Sequence, residues 1–173
     1  KPIQKTSFLQ KKMITDIEMY QALVDKDSSY EGTFIAAVKT TGIFCRPTCT
    51  ARKPKPENVE FFKTTKEALL SGYRPCKVCK PLEYAGQTPD FVAQILAELN
   101  DDPSLKYSDW DLEKRNIEPS QMRRWFLKNH GMTFHAFQRV FRINAALKKL
   151  QQGDSVTDTA FDSGYNSLSG FTE

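Results

Sequence analysis

Four cysteines carry the most specific chemistry in this 173-residue chain. Cys45 and Cys49 form a C-x3-C pair, Cys76 and Cys79 form a C-x2-C pair, and 26 residues separate the two. Two short-spaced pairs far apart are how a chain builds a tetrahedral thiolate site from two knuckles. A disulfide within either pair would close a small, strained loop. Bridges between the pairs satisfy the geometry, but the spacing favours a single four-thiolate zinc site. Thiol–disulfide exchange through Cys76-Lys-Val-Cys79 would need a thioredoxin-like βαβ context, and the pattern around it has none. The two histidines, His130 and His135, lie far from the cysteines and at i, i+5 share no helix face. They read as surface or phosphate-facing residues.

Charge points to a polyanion. The chain is 39% hydrophobic and 27% charged with a net charge of +4, an ordinary globular balance that excludes collagen, coiled coil and global disorder. No apolar run approaches the roughly 20 residues of a membrane span, and the first residues show no signal-peptide pattern, so the chain reads as cytoplasmic with no membrane partner. The net value hides two basic blocks. Residues 45–80 hold nine Lys/Arg against three Asp/Glu, and residues 119–149 hold seven against none. A face that merely solvates a helix mixes both signs, whereas these blocks suit two contacts with a polyanion, most simply nucleic acid.

Several elements must position these groups. Ile14, Ile17, Leu23 and Val24 predict a helix over 15–26, and alternation predicts strands at 34–38 and 59–62. Thr64-Thr-Lys-Glu67 predicts a capped short helix that stops at Gly72. The first 83 residues thus read as a small α+β domain whose thin core leans on the metal. Residues 84–90, with Gly and Pro, read as a linker. Residues 91–173 read as all-helical. Ser108–Asn116, then Ile117-Glu118, then Pro119–Asn129 has the short helix, tight turn and basic helix of a helix-turn-helix. Ser120, Gln121, Arg123, Arg124 and Lys128 would face DNA, with Met122, Trp125 and Phe126 inward. A long helix over 133–152 is expected to bury the stripe Val140, Ile143, Leu147 and Leu150, widened by Phe134, Phe137 and Phe141. The arrangement then repeats from Ser155, with a turn at Gly164–Asn166 and a helix from Ser167 that the chain end truncates.

At the level of motifs, Thr40-Thr-Gly-Ile-Phe-Cys45-Arg-Pro-Thr-Cys49-Thr-Ala-Arg52, Glu57-Asn-Val59 and Gly72-Tyr-Arg-Pro-Cys76-Lys-Val-Cys79 closely resemble the N-terminal domain of the Ada family. That family comprises methylphosphotriester-DNA–protein-cysteine methyltransferases joined to an AraC-type DNA-binding region. Asp111-Leu112, Pro119, Arg123-Arg-Trp-Phe126, Gly131-Met-Thr-Phe134 and Gly164-Tyr-Asn-Ser-Leu-Ser-Gly-Phe171 look like the same lineage. The resemblance implies one zinc ion held by Cys45, Cys49, Cys76 and Cys79, with Cys45 also the methyl acceptor. It implies DNA contacts by Thr41, Arg46, Arg52 and Arg74. It further implies an activator of the adaptive response that engages RNA polymerase when full length. By the same token, the chain reads as a fragment without the C-terminal O6-alkylguanine methyltransferase domain that many members carry.

The proposed chemistry needs a thiolate, because a free cysteine at pKa ~8.5 is only a few per cent ionised at neutral pH. Zinc coordination removes the proton, and four thiolates give a formally −2 site that keeps electron density on sulfur. Composition and spacing alone favour a non-catalytic transcription factor with a closed structural zinc, since most all-cysteine sites are of that kind. Only the resemblance around Cys45 favours transfer. On either reading, Cys76→Ala or Cys79→Ala should lose zinc and unfold the first domain together, because metal binding and folding are coupled. Native mass spectrometry with circular dichroism checks this; a folded, metal-free variant would contradict it.

Overall fold

The computed structural model describes residues 14–84 and 87–163. The expected turn at 164–166 and helix from Ser167 lie outside the described residues. Helix α1 (Asp16–Asp25) starts at Thr15, whose hydroxyl accepts from the Glu18 N–H while the Glu18 carboxylate accepts from the Thr15 N–H. This reciprocal cap satisfies two backbone donors that a helix start otherwise leaves open. Ala22 and Leu23 are its buried residues.

Strands β1 (Ile35–Val38), β2 (Ile43–Cys45), β3 (Val59–Phe62) and β4 (Arg74–Pro75) form one sheet in the order β3-β1-β2-β4. β1 is antiparallel to β2 and β3, and β2 runs parallel to β4. The β1–β2 turn closes at Gly42, whose φ of +67° is open to glycine without steric cost. Side chains alternate along β1, so each face meets a different core. Phe34 and Ala36 join Ala22, Leu23 and Val59 under α1. Ile35 and Ala37 join Phe44, Ala68 and Leu69 in a second cluster that continues through Val92, Leu112, Phe126 and Phe137.

The sheet's second face is therefore covered by the helical half of the chain. Stability that the sequence assigned to the metal alone has this apolar layer as a second source. Helices α2 (Thr65–Leu70), α3 (Asp90–Asp101), α4 (Asp109–Lys114), α5 (Pro119–His130), α6 (Phe134–Gln151) and α7 (Val156–Asp162) complete the described chain. Polar locks cross the seam. The Asn144 side-chain amide donates to the Leu69 carbonyl at 2.8 Å and to that of Tyr73 at 3.4 Å. It thereby adds a side-chain donor to a carbonyl that already accepts from the Gly72 N–H at the end of α2. Lys66 Nζ donates to the Gly131 carbonyl and the Tyr84 hydroxyl to that of Asn129, both at 3.0 Å.

Two expectations change. In α6 the buried face is Phe134, Phe137, Gln138, Phe141 and Ala146, while Ile143 and Leu147 are exposed. The aromatic rings win the inward position because they reach Phe126, 5.0 Å away between centroids for both Phe134 and Phe137. Gln138 survives there because its amide pairs both ways with the Tyr107 backbone.

The second change concerns His130, which is not on the surface but 3% exposed, with Nδ1 3.2 Å from the Thr65 hydroxyl. Rings of Trp125, Phe126 and Tyr84 surround it. Burial pushes its pKa down to about 4, opposed weakly by the Leu82 backbone. A histidine buried neutral stabilises the fold fully above its unfolded pKa near 6.5 and loses that contribution as pH falls towards 4. The stability difference between wild type and His130→Gln should accordingly shrink by about 3 kcal/mol between pH 7 and pH 4. Both proteins carry the same four thiols, so the difference cancels acid loss of metal. Parallel denaturation curves at the two pH values would show no such change if the ring were solvated.

Candidate metal centre and nucleic-acid interface

The parallel pairing of β2 with β4 assembles the cysteines. Ile43 lies opposite Arg74 and Phe44 opposite Pro75, so the next residues, Cys45 and Cys76, leave the sheet side by side. The Cys76 N–H donates to the Phe44 carbonyl at 3.0 Å, fixing that register. Each knuckle then folds back: the Cys49 N–H donates to the Arg46 carbonyl, and the Lys80 N–H to the Cys76 carbonyl. All four sulfurs end within 4.8 Å of one another, as free thiols.

These sulfur positions fit one tetrahedral Zn2+. With Zn–S bonds of about 2.3 Å, tetrahedral geometry needs sulfurs about 3.8 Å apart, and Cys49 and Cys76 stand at 4.0 Å. The protonation of Cys45, Cys49 and Cys79 agrees. The Cys45 thiol is pushed far above the ordinary range by the hydrogen bond it gives Cys79 and by burial. Cys79, receiving that bond, is held down to about 6. Burial raises Cys49 to about 11. Sulfurs this close cannot all ionise unaided, and a divalent cation is the group that lets them.

Backbone donors treat the thiolates unequally. The Arg46 N–H points at Cys79 Sγ from 3.4 Å, and the Ala51 backbone donates to Cys49. Among the described residues, neither Cys45 Sγ nor Cys76 Sγ receives such an amide. Lys53, which sequence reasoning passed over, donates through Nζ to the Cys49 carbonyl at 2.6 Å and braces the first knuckle. Its only sequence signal is a lysine four residues past a metal ligand.

The four residues expected to touch DNA around this centre divide into groups. Thr41 is exposed in the β1–β2 turn and shares a crevice with half-buried Arg74. Arg46 sits past the other end of β2, its guanidinium donating to the Lys80 carbonyl at 2.9 Å. Arg52 is exposed on the loop after Cys49. Cys45 thus lies between Thr41 and Arg46 along the strand.

The second expected interface is α5. Glu118 caps it, Pro119 occupies its first position, and Gly131 ends it in the left-handed region at φ 62°. Met122, Phe126 and His130 are buried, which leaves Gln121, Arg123, Arg124 and Lys128 exposed and Ser120 and Trp125 partly so. α4 begins with a full capping box from Ser108 and Asp111. The Arg123 guanidinium donates to the Asp109 carboxylate at 2.6 Å, tying α5 to α4.

Comparisons with known proteins bear on both halves. The family description "Metal binding domain of Ada" matches residues 18–82, and "Helix-turn-helix domain" matches residues 113–173. The bifunctional transcriptional activator/DNA repair enzyme AdaA of Bacillus subtilis is 38% identical over 141 residues, covering 81% of this chain and 66% of that protein. The chain belongs to the Ada family. The Escherichia coli K12 bifunctional transcriptional activator/DNA repair enzyme Ada is 32% identical over 160 residues, 91% of this chain and 45% of that one. This chain spans about half to two thirds of the length of these curated relatives. Among solved structures, the DNA methyl phosphotriester repair domain of E. coli Ada is 40% identical, covering 47% of this chain and 89% of that one with a TM-score of 0.39. A methylated N-Ada/DNA complex is 31% identical, covering 74% and 98%, also at 0.39. The Ada-type centre in this chain is an α+β unit with four cysteine ligands for zinc, followed by a helix-turn-helix.

The ion pair makes Arg123 and Arg124 unequal. With no ion pair among the described residues, Arg124→Ala should lower the salt slope of DNA binding by about 0.9. Arg123→Ala should lower it less, and Asp109→Asn should tighten binding by releasing Arg123. Fluorescence anisotropy at four salt concentrations reads all three; equal slopes throughout would remove α5 from the interface.

Proposed function

We propose that the chain repairs and senses DNA alkylation by accepting a methyl group from a backbone methylphosphotriester onto Cys45, once per molecule. The observation that carries this reading is the uneven quenching of the thiolates. Hydrogen bonds from amides draw electron density from Cys79 and Cys49, which leaves Cys45 and Cys76 as the stronger nucleophiles; the family motif around Cys45 selects it from the two. Zinc, when bound, supplies ionised thiolates at neutral pH. Cys45 Sγ forms the new S–C bond as the methyl C–O bond breaks, and the oxygen keeps the electron pair as an ordinary phosphodiester. No proton moves, so no general acid is needed. Arg46 and Arg52 on the knuckle side and Thr41 and Arg74 at the turn would hold the backbone against the sulfur. The thioether product is stable, which limits each molecule to one event.

Methylation removes one negative charge from the cluster. At ~5–8 Å from a phosphate and effective dielectric ~20–40, that is worth about 1–3 kcal/mol, or roughly ten- to a hundredfold in affinity. The repair event thus becomes a DNA-binding signal, read by Ser120, Gln121, Arg123, Arg124 and Lys128. On this reading residues 1–83 form the methyl-acceptor domain, 84–90 the linker and 91–173 the DNA-reading domain. The protein works in the cytoplasm at the nucleoid, activates transcription of the adaptive response and engages RNA polymerase when full length. A competing reading, a closed structural zinc in a non-catalytic activator, draws on the burial of Cys45, which is 9% exposed.

Mass spectrometry after incubation with methylphosphotriester DNA separates the two: one added methylene on Cys45, or none. Cys45→Ser should abolish transfer. Where it retains zinc, it should bind undamaged DNA more tightly than unmethylated wild type, because losing one anionic ligand mimics the methylated charge. A zinc-loaded Cys45→Ser protein that binds no tighter would refute the switch and leave the transfer assignment intact.

A further inference from the structure

A crevice of about 360 Å3 separates the β1–β2 turn from the last turns of α6, and it is lined by cations without an acid. Lys39 and Arg74 come from the sheet half and Lys148 from α6, with Thr41, Asn144 and Gln151 between them. The larger cleft beside Arg46, about 790 Å3, has Glu31 in its wall. Lys148 Nζ donates to the Thr41 carbonyl at 3.4 Å, and Lys39 Nζ to the Glu57 carbonyl at the same distance. Both are long contacts to neutral carbonyls, so among the described residues neither ammonium has an acidic partner.

The placement is fixed rather than incidental. Asn144, one helical turn before Lys148 and on the same face, anchors α6 to the Leu69 and Tyr73 carbonyls. Arg74 is held by its N–H donating to the Gly42 carbonyl at 2.9 Å. The two basic blocks of the sequence, otherwise separate, converge here through Arg74 and Lys148. At ~3.3 Å per extended residue, the turn stands about 10–13 Å from Cys45. That is roughly two phosphates along one strand of a duplex, because the strand winds about the axis and neighbouring phosphates stand about twice the ~3.4 Å axial rise apart.

We propose that this crevice grips the phosphate backbone of the duplex a few nucleotides from the phosphotriester, through Lys148 and Lys39. The proposal rests on the DNA-binding part of the reading above and extends it. The connecting helix of the helix-turn-helix half contributes to engaging the lesion, so the repaired strand is held from both halves at once. A row of cations with no acidic partner among the described residues, in an open crevice beside the thiolate centre, suits a linear polyanion, which releases counterions as it binds.

The test uses the zinc-loaded full chain and an undamaged duplex. Lys148→Ala and Lys39→Ala should each lower the slope of log K against log salt by about 0.9, with Lys148→Arg retaining the wild-type slope. On a duplex carrying a methylphosphotriester, a neutral methylphosphonate about two phosphates from the lesion should erase the difference between Lys148→Ala and wild type. An unchanged slope in Lys148→Ala, while Arg124→Ala lowers its own, would overturn the proposal. So would a lowered melting temperature with an unchanged slope, which would make Lys148 a strut between the halves. Absence of a methyl on Cys45 combined with a lowered slope would sink the transfer reading and leave this one standing.

Discussion

Mutual repulsion among four closely held sulfurs is the constraint from which the rest follows. A cluster within 4.8 Å is unfavourable as thiolates unless a cation sits at its centre. Its backbone must therefore be held in a fixed register around the metal. The two-residue strand β4 does this by pairing with β2. The amide donors and Lys53 then distribute the remaining negative charge over the knuckles. On the proposed function the basic surroundings follow from the same requirement, since an anionic centre would have to be presented to an anionic polymer. Arg46, Arg52 and Arg74 sit around it in a chain whose net charge is only +4.

Sheet and helices share the rest of the work through a single apolar layer. Phe44 lies one residue before Cys45, is fully buried, and belongs to the same cluster as Phe126 on the expected recognition helix. Close packing of this kind transmits strain, because it has no compressible filler. The chemistry of the centre and the position of α5 are linked by contact, with few side chains between them.

Local signals were legible in the sequence, and long-range ones were not. The caps at Thr15 and Ser108 and the Pro119-to-Gly131 span of α5 are written in residues within one turn of each helix end. The cysteine site was legible from spacing alone, since chain reach dictates how knuckles close. The burial of His130 was invisible because its partner, Thr65, is 65 positions away. The outward turn of Ile143 and Leu147 had the same origin: a 3-4-3 stripe and an aromatic stripe overlap on one helix, and only the shape of the opposing surface chooses between them. Asn144 reads as an ordinary helix-surface amide until the end of α2 appears beside it. β1 carried a clue, in that both of its alternating faces are apolar, the pattern of a strand covered on two sides.

That doubly covered strand has a thermodynamic consequence. With Ile35 and Ala37 on one side and Ala36 on the other, neither half of the molecule can melt while the other stays dry. Peeling the helices away would bare the sheet, and opening the sheet would scatter the sulfurs. Loss of the metal and loss of the seat of α5 are thus coupled through this one strand.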